Sequence, residues 1–341
     1  MHTESDTEED ERVLKAKLAV LASTWSKHGD RWMLEGYHEG MNIREAIERA
    51  GSIEGIEGIE LVHPQQINGE NAGELFTKIS EAGLGISSIA NSISGRSIFY
   101  RGALTSKDPR VRREAIDTVK RGLDLAAELE IQRTNLWLGR EGFDYPFQVD
   151  YEECWDLLIR GLSECASHQP GVMICIEYKL REPRAHLLAG TANKTLSLIR
   201  EVGADNVGVL LDTGHCLFAY ENIAETIFLL HRAGKLFHFH LNDNHRMEDD
   251  DMLAGSIHFY EFLEALYWLD RIGYEGWISL DPHPLGEDET RSVEEGVRFC
   301  RGACAMLQRI GPDRLGGMLK DRQAMDIYRE FQKEIFHHAE G

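Results

Sequence analysis

Short apolar runs alternate along the chain with longer amphipathic segments. Each run is rich in β-branched and aliphatic residues and has the length of a buried strand, which predicts strands rather than helices. Eight such runs occur, and they read KLAVLAST, GIELVHP, GISSIAN, TNLWLG, VMICIEYK, VGVLLDTG, LFHFHLND and GWISLDP.

The segments between these runs carry apolar residues at steps of three and four, which is the spacing of one helix face. Several of them stop at glycine, as helices commonly do. They read NIREAIERA, NAGELFTKISEAG, RREAIDTVKRGLDLAAELE, YEECWDLLIRGLSECA, ANKTLSLIREVG, IAETIFLLHRAG and IHFYEFLEALYWLDRIG, and VEEGVRFCRGACAMLQRI follows the last run.

Alternating strands and helices favour a parallel sheet, and eight such units predict an α/β fold, a (β/α)₈ TIM barrel. No Gly-x-Gly-x-x-Gly fingerprint follows the first strand, which counts against a dinucleotide-binding fold. We expect an acidic tail over 1–14, the barrel over 15–311 and a C-terminal helical extension over 312–341. The extension would pack on a neighbouring subunit or on the barrel's own outer wall.

The chain is strongly acidic. Its 341 residues carry a formal net charge of −21, which disfavours nucleic acids and anionic membranes as partners because both select basic surfaces. The six cysteines form no C-x-x-C pair, and the sequence contains no evident signal peptide or long apolar span. We therefore expect a cytoplasmic protein that binds a small molecule.

Polar side chains follow the predicted strands at their carboxyl ends, where TIM barrels build their active sites. Strand five ends in Glu177 and Lys179, which project to the same side because side chains alternate along a strand. An ordinary ion pair would explain them as well. Strand six ends in Asp212, with His215 three residues later. This spacing suits two metal ligands, but it also suits an aspartate that caps a helix.

Strands seven and eight end in similar side chains. His238 and His240 share one face of strand seven, and the acidic run beyond them contains Asp249 and Asp251, which would point together in an extended segment. Such a run is often just a solvated loop. Strand eight delivers Asp281. Four consecutive strands thus end in metal-competent side chains, and carboxylates with imidazoles suit Mn²⁺, Mg²⁺ or Co²⁺.

With these motifs the chain resembles the xylose isomerase-like TIM-barrel superfamily over roughly residues 18–310, most closely its L-rhamnose isomerase and xylose isomerase branches. In those families the strand-five Glu-x-Lys supplies a bridging ligand and a catalytic lysine, which implies these roles for Glu177 and Lys179. The resemblance also implies a catalytic role for Asp281. The metal ligands that it implies are Glu177, Asp212, His215, His240, Asp249, Asp251 and Asp281.

The segment NLWLGREGFDYPFQ combines the Trp and Gly-Arg-Glu-Gly of xylose isomerases with the Tyr-Pro-x-Gln run of rhamnose isomerases. The resemblance implies that Trp137 lies against the apolar face of the sugar and that His215 contacts it; a core tryptophan is the alternative for Trp137. Trp25 and His28, in STWSKHGDRW, are further candidates for the pocket wall, although loop packing would also explain them.

Two departures from the family pattern stand out. The strand-three histidine that contacts substrate in several of these enzymes has no clear match, since SSIANSIS offers Asn91 at that place. The loop after strand seven leaves the choice among Asp249, Asp250 and Asp251 open by one position.

The resemblance implies an aldose–ketose isomerase that acts on a free, unphosphorylated sugar and moves hydrogen between C1 and C2. It would use one or two divalent ions, with Mn²⁺ expected and Mg²⁺ or Co²⁺ as alternatives, and would form a homodimer or homotetramer. A ketose 3-epimerase or a metal-dependent 3-oxo-glycoside lyase on the same scaffold remains an alternative. A nuclease of the endonuclease IV type, which the net charge disfavours, and a non-catalytic sugar-binding barrel complete the alternatives.

Overall fold

Parallel strands form a closed barrel. The structure, a computed structural model, describes residues 15–336. Within that range each of eight barrel strands pairs with its neighbours in sequence, and the last strand closes against the first, which confirms the predicted α/β class and (β/α)₈ TIM barrel. The strands are β1 (Lys17–Leu21), β2 (Gly58–His63), β3 (Gly85–Asn91), β4 (Arg133–Trp137), β5 (Met173–Glu177), β6 (Val207–Asp212), β7 (Leu236–Leu241) and β8 (Trp277–Leu280).

Helices surround the barrel, and local sequence signals set where they begin and end. Asn42 starts the first helix with a capping box, in which its side chain accepts from the N–H of Glu45 and Glu45 accepts from the N–H of Asn42. Gly203 ends the fifth helix in the left-handed conformation. The helices are α1 (Ile43–Gly51), α2 (Ala72–Glu81), α3 (Pro109–Glu128), α4 (Tyr151–His168), α5 (Ala192–Val202), α6 (Thr213–Phe218), α7 (Ile223–Arg232), α8 (Phe259–Arg271), α9 (Glu289–Ile310), α10 (Pro312–Lys320) and α11 (Ala324–Phe336).

Two local structures at the carboxyl end of the barrel were not predicted. Helix α6 follows β6 without a loop. The loops after β4 and β5 also pair with each other, and the segments Gly142–Phe143, Arg181–Glu182 and Ala185–Leu187 form a small antiparallel sheet. These elements are too short for hydrophobic periodicity to indicate them. The predicted acidic tail over 1–14 lies outside the described residues.

The C-terminal helices α10 and α11 cover the barrel's own outer wall. Tyr260 of α8 and Tyr328 of α11 lie with ring centroids 4.9 Å apart, and Phe331 is buried beside them. Of the two placements expected for the extension, the structure shows packing on the same chain. No helix between residues 15 and 336 combines the length and the hydropathy needed to cross a membrane.

Glu141 ties the loop after β4 to the loop that precedes α3. Its carboxylate is fully buried and accepts hydrogen bonds from the backbone N–H groups of Ala103, Leu104 and Thr105 at 2.8–3.1 Å. We expect Glu141→Ala to lower the free energy of unfolding by at least about 3 kcal/mol, because each buried N–H that loses its acceptor costs about 1–3 kcal/mol. Denaturant unfolding, with exposed Glu152→Ala as the control, measures this. Equal losses in the two variants would contradict it.

His63, at the end of β2, should make stability depend on pH. Burial, followed by the nearby charge of Arg121, lowers the pKa of His63 to about 4. In the unfolded chain a histidine has a pKa near 6.5, so its contribution to stability is complete above about pH 6.5 and is lost as the pH falls towards 4. We expect the melting temperature to fall less steeply between pH 7 and 4.5 in His63→Gln than in the wild type. Parallel slopes in calorimetry would count against this.

Candidate metal centre and substrate cavity

The carboxyl ends of the barrel strands open into a cavity of about 550 Å³. All strands of a parallel barrel end at the same rim, so the residues that follow them meet there. Asp212 is fully buried next to this cavity. The predicted site residues that line the cavity are Trp137, Glu177, Lys179, His215, His240, Asp249, Asp251 and Asp281.

Side chains from four neighbouring strands converge on one point. Glu177, Asp212, His240 and Asp281 each offer one ligand atom, and these atoms all lie within 4.8 Å of one another. His240 Nδ1 lies 3.4 Å from Asp281 Oδ2, 3.7 Å from Glu177 Oε1 and 3.8 Å from Asp212 Oδ2. We refer to these four residues as the primary ligand group.

Asp212 ends β6 and also begins α6. Its Oδ1 accepts a hydrogen bond of 2.8 Å from the backbone N–H of His215, so it is the N-cap of the helix. Its Oδ2 accepts from Asn242 Nδ2 at 2.8 Å and faces His240. The cap holds the first turn of α6 in place, and this turn carries the His215 ring to the cavity wall. Capping and a position in the ligand group are therefore compatible in one residue.

Negative charges are crowded around this point. Burial, together with neighbouring carboxylates such as Asp249, raises the pKa of Asp212 to about 7. Burial alone would lower the pKa of His240, but Glu60 and the surrounding carboxylates outweigh it and hold this pKa well above its usual value. Both shifts favour protonated Asp212 and His240, which is expected for these two groups because each is buried among several carboxylates.

The polar atoms at this point fit a divalent cation. Within the described chain, His240 Nδ1 and Asp281 Oδ1 are buried and have no hydrogen-bond partner. Buried polar atoms of this kind are rare in folded proteins and call for an explanation. Three carboxylates and one imidazole form an oxygen-rich donor set that suits Mn²⁺, Mg²⁺ or Co²⁺. The residues of the primary ligand group thus match one ion of this class.

A second ligand group shares Asp212 with the first. Asp212, His215 and Asp249 also offer atoms within 4.8 Å of one another, and His215 Nε2 lies 3.1 Å from Asp249 Oδ2. Burial alone would lower the pKa of His215, but Asp212 and Asp249 raise it to about 10. This group has three donors, and Asp249 also forms an ion pair with Lys179, so it fits a second cation less completely.

Lys179 is a buried cation at the wall of the cavity. Its Nζ lies 2.6 Å from Asp249 Oδ2 and also pairs with Glu182. Burial alone would lower the pKa of Lys179, but the two carboxylates raise it, so the ammonium group stays charged. The Nζ also lies 5.3 Å from the centroid of the Trp137 ring. A Cβ at Gly139 would come within 2.6 Å of that ring, so glycine is needed there to leave the ring in place.

The acidic run after β7 sends its side chains in different directions. Asp249 belongs to the second ligand group, whereas Asp250 is exposed. Asp251 Oδ2 lies 3.0 Å from His283 Nδ1, and His283 Nε2 lies 3.4 Å from Asp281 Oδ1. Asp251 therefore contacts His283 and lies outside the second ligand group, because the segment is not extended: the backbone at Asp251 has a φ of 43°. Asp249 still lies close enough to act on it, since burial, followed by the charge of Asp249, raises the pKa of Asp251 to about 6.

Two predicted wall residues lie behind the cavity. Trp25 is fully buried, and its Nε1 donates a hydrogen bond of 3.1 Å to Thr290 Oγ1 at the start of α9, so it joins the first loop to that helix. The rings of His28 and His283 are tilted by 41° with centroids 4.7 Å apart, and His28 Nε2 lies 2.7 Å from the carbonyl oxygen of Thr24. The contacts of Trp25 are those of a residue that packs a loop. His28 does not line the cavity itself but contacts His283, which does.

Asn91 borders the cavity at the end of β3, but its side chain is directed elsewhere. Its Oδ1 lies so close to Gly122 of α3 that a Cβ there would approach it to 1.8 Å. The Asn91 side chain thus points away from the barrel axis, towards the helix that covers β3.

Sequence reasoning missed Glu60 and His283 and gave His238 no role. Glu60 is buried inside the barrel, where its Oε2 lies 3.0 Å from His238 Nε2 and 3.1 Å from His240 Nε2. A signal existed, because an acid in the middle of GIELVHP breaks an apolar strand. His283 also follows Asp281 by two residues, the spacing that places residues on one face of a strand.

Comparison with known proteins places this geometry in a family context. The family described as xylose isomerase-like TIM barrel matches residues 46–303. Xylose isomerase from Thermus thermophilus is 28% identical over 260 residues, covering 73% of this chain but 65% of that protein, just under two thirds of its length. Xylose isomerase from Thermus caldophilus is 27% identical over 264 residues, which is 75% of this chain and 67% of that protein.

Solved structures share the barrel. D-psicose 3-epimerase from Clostridium cellulolyticum H10 superposes with a TM-score of 0.64 at 19% identity, covering 84% of this chain and 99% of that one. An L-ribulose 3-epimerase superposes with a TM-score of 0.61 at 20% identity, covering 92% and 98%. At this level of identity the likeness concerns the fold.

Proposed function

We propose, given that the chain belongs to the xylose isomerase-like TIM-barrel family, that it is a divalent-metal-dependent aldose–ketose isomerase acting on a free sugar. Relatives named xylose isomerase support a sugar-converting enzyme. The observation that carries the proposal is Lys179, a buried ammonium group beside two ligand groups that share Asp212.

The primary ligand group would hold the metal ion. A divalent cation bound there supplies Lewis-acid chemistry, since it polarises the carbonyl and hydroxyl oxygens of a sugar. His215 and Asp249, with Asp212, are the candidates for a second ion. Asp251 is left out of this set because it faces His283.

Lys179 would act on the carbonyl oxygen of the substrate. Asp249 and Glu182 each take one hydrogen bond from Nζ, which leaves a third N–H for the sugar. Hydrogen transfer between C1 and C2 builds negative charge on that oxygen, and an ammonium donor that is already fixed stabilises it without reorganisation. Lys179 keeps its proton throughout, which agrees with its raised pKa.

The cavity suits an unphosphorylated sugar. Trp137 offers a flat apolar face to one side of a sugar ring or chain. Phosphate sites rely on helix N-termini, glycine-rich loops or clustered basic groups. The charged lining here is mostly acidic. The acids are Glu60, Glu177, Glu182, Glu248, Asp249, Asp251 and Asp281, and the bases are Lys179 and Arg181.

A ketose 3-epimerase is the second candidate, and one observation favours it. Glu177 and Asp281 approach His240 Nδ1 from strands β5 and β8, at 3.7 and 3.4 Å. Two carboxylates that flank one metal ion would serve as the acid and the base that exchange a proton at C3. Such an enzyme would have little use for Lys179.

The test is to strip the protein of metal, reload it with Mn²⁺ and follow free aldoses, ketoses and 3-oxo-glycosides by proton NMR in D₂O. Aldose–ketose conversion supports the proposal. Solvent deuterium at C1 or C2 would then indicate an enediol route, and its absence a hydride shift. Exchange and inversion at C3 alone would replace the proposal with the epimerase, and cleavage of a 3-oxo-glycoside would replace it with the lyase.

A further inference from the structure

We infer that Glu60 is a positioning residue that makes His240 Nδ1, rather than Nε2, the ligand of the proposed metal ion. The inference rests on the proposed metal centre and adds to it a residue from β2, a strand that contributes nothing to either ligand group.

The two nitrogens of the His240 ring face different groups. Glu60 Oε2 lies 3.1 Å from His240 Nε2, closer than the amide nitrogen of Asn135 at 3.4 Å. Because a carboxylate only accepts hydrogen bonds, the shorter contact favours a hydrogen on Nε2. The imidazole that binds a metal ion is neutral and has one hydrogen, so a hydrogen on Nε2 leaves a lone pair on Nδ1. That atom faces Glu177, Asp212 and Asp281.

The three carboxylates on the other side of the ring would favour the opposite arrangement. They are acceptors as well, and without Glu60 they would draw the hydrogen of His240 to Nδ1, where it would block metal binding. Glu60 lies on the opposite side of the ring, in the interior of the barrel, and favours the hydrogen on Nε2. A carboxylate behind a ligating histidine is a common device that fixes the ring and its tautomer.

Glu60 is itself held in place. Asn135 Nδ2 donates to its Oε1, while Ser279 Oγ and His238 Nε2 donate to Oε2 at 3.2 and 3.0 Å. The interior of a TIM barrel is ordinarily filled by branched apolar side chains. A buried carboxylate costs stability that an apolar filler would not, so its presence here agrees with a role in orienting His240.

A third metal ion held by Glu60, His238 and His240 is a rival explanation, because these residues also offer ligand atoms within 4.8 Å. The hydrogen bonds argue against it. The carboxylate oxygens of Glu60 that would bind such an ion already accept hydrogen bonds from Asn135, Ser279 and His238, with donor–acceptor distances of 2.5–3.2 Å. The hydrogen bonds therefore favour a network centred on Glu60 over a third metal site.

The experiment is a double-mutant cycle on Mn²⁺ affinity, followed by the electron paramagnetic resonance of free Mn²⁺. In protein that retains His240, we expect Glu60→Gln to weaken Mn²⁺ binding by about 10–100-fold. In a His240→Asp background the ligand has no N–H to orient, so the same change should cost less than about threefold. Thr195→Val, which removes a buried hydrogen bond on α5 outside the network around Glu60, is the control for loss of packing.

Equal losses in both backgrounds, or unchanged affinity in Glu60→Gln, would overturn the inference. So would one bound ion fewer in Glu60→Gln than in the wild type, which would identify the Glu60 cluster as a metal site. If Glu60→Gln does not fold, Glu60→Asp keeps the charge but withdraws it by one methylene and is expected to weaken binding too. Wild-type protein that binds Mn²⁺ without isomerising a sugar would leave this inference standing and remove the proposed activity.

Discussion

Lys179→Met is expected to lower kcat for aldose–ketose conversion by about 10²–10³-fold, the usual effect of removing one fixed donor to a developing negative charge. The effect should fall on kcat more than on KM, because the donor is needed most when the charge on the carbonyl oxygen is greatest. Steady-state kinetics with the sugar identified by NMR, at saturating Mn²⁺, measures both constants.

The loss of kcat must be distinguished from a loss of folding or of metal binding. Methionine leaves Asp249 without its 2.6 Å ion pair, so circular dichroism and Mn²⁺ affinity are measured alongside activity. Lys179→Arg keeps the charge and the ion pairs but moves the donor, and it should fold normally while remaining slow. Lys194→Met, at an exposed position on α5, should match the wild type. Full turnover in Lys179→Met, with C3 chemistry intact, would point to the epimerase.

The ends of the barrel strands were the most predictable part of this site. Asp212 and His240 lie on strands that the apolar runs already indicate, and in a parallel barrel the carboxyl ends of all strands meet. Once a strand is identified in the sequence, the position of the side chain at its carboxyl end is therefore known. The same reasoning would have reached Glu60, which alternation places on the inner face of β2.

Residues on loops were harder to predict, because a loop has no period. Asp251 has a positive φ and turns towards His283, which no pattern in the acidic run indicates. Trp25 lies in a short 3₁₀ turn, and its burial depends on Thr290 at the far end of the chain. Glu141 likewise shows its importance only when the loop around Leu104 folds over it. Long-range packing decides each of these.

Glu177→Gln should weaken metal binding by more than about 100-fold without damage to the fold. Loss of a group that merely orients a ligand weakens metal binding by about 10–100-fold, so loss of a ligand should exceed about 100-fold. At a Mn²⁺ concentration of 100 times the wild-type dissociation constant, the wild type gains about 2.7 kcal/mol of stability from the ion. A variant with 100-fold weaker affinity gains about 0.4 kcal/mol under the same conditions.

Thermal melts with and without Mn²⁺ test this prediction. In the absence of metal, the variant should melt close to the wild type, because at this position attraction to His240 and His215 opposes repulsion from Asp212 and Asp281. Glu248→Gln makes the same change on the same cavity wall outside both ligand groups, and should keep the full Mn²⁺-induced rise. If Mn²⁺ raises the melting temperature of Glu177→Gln as much as that of the wild type, the ion binds elsewhere. The primary ligand group would then not be the metal centre.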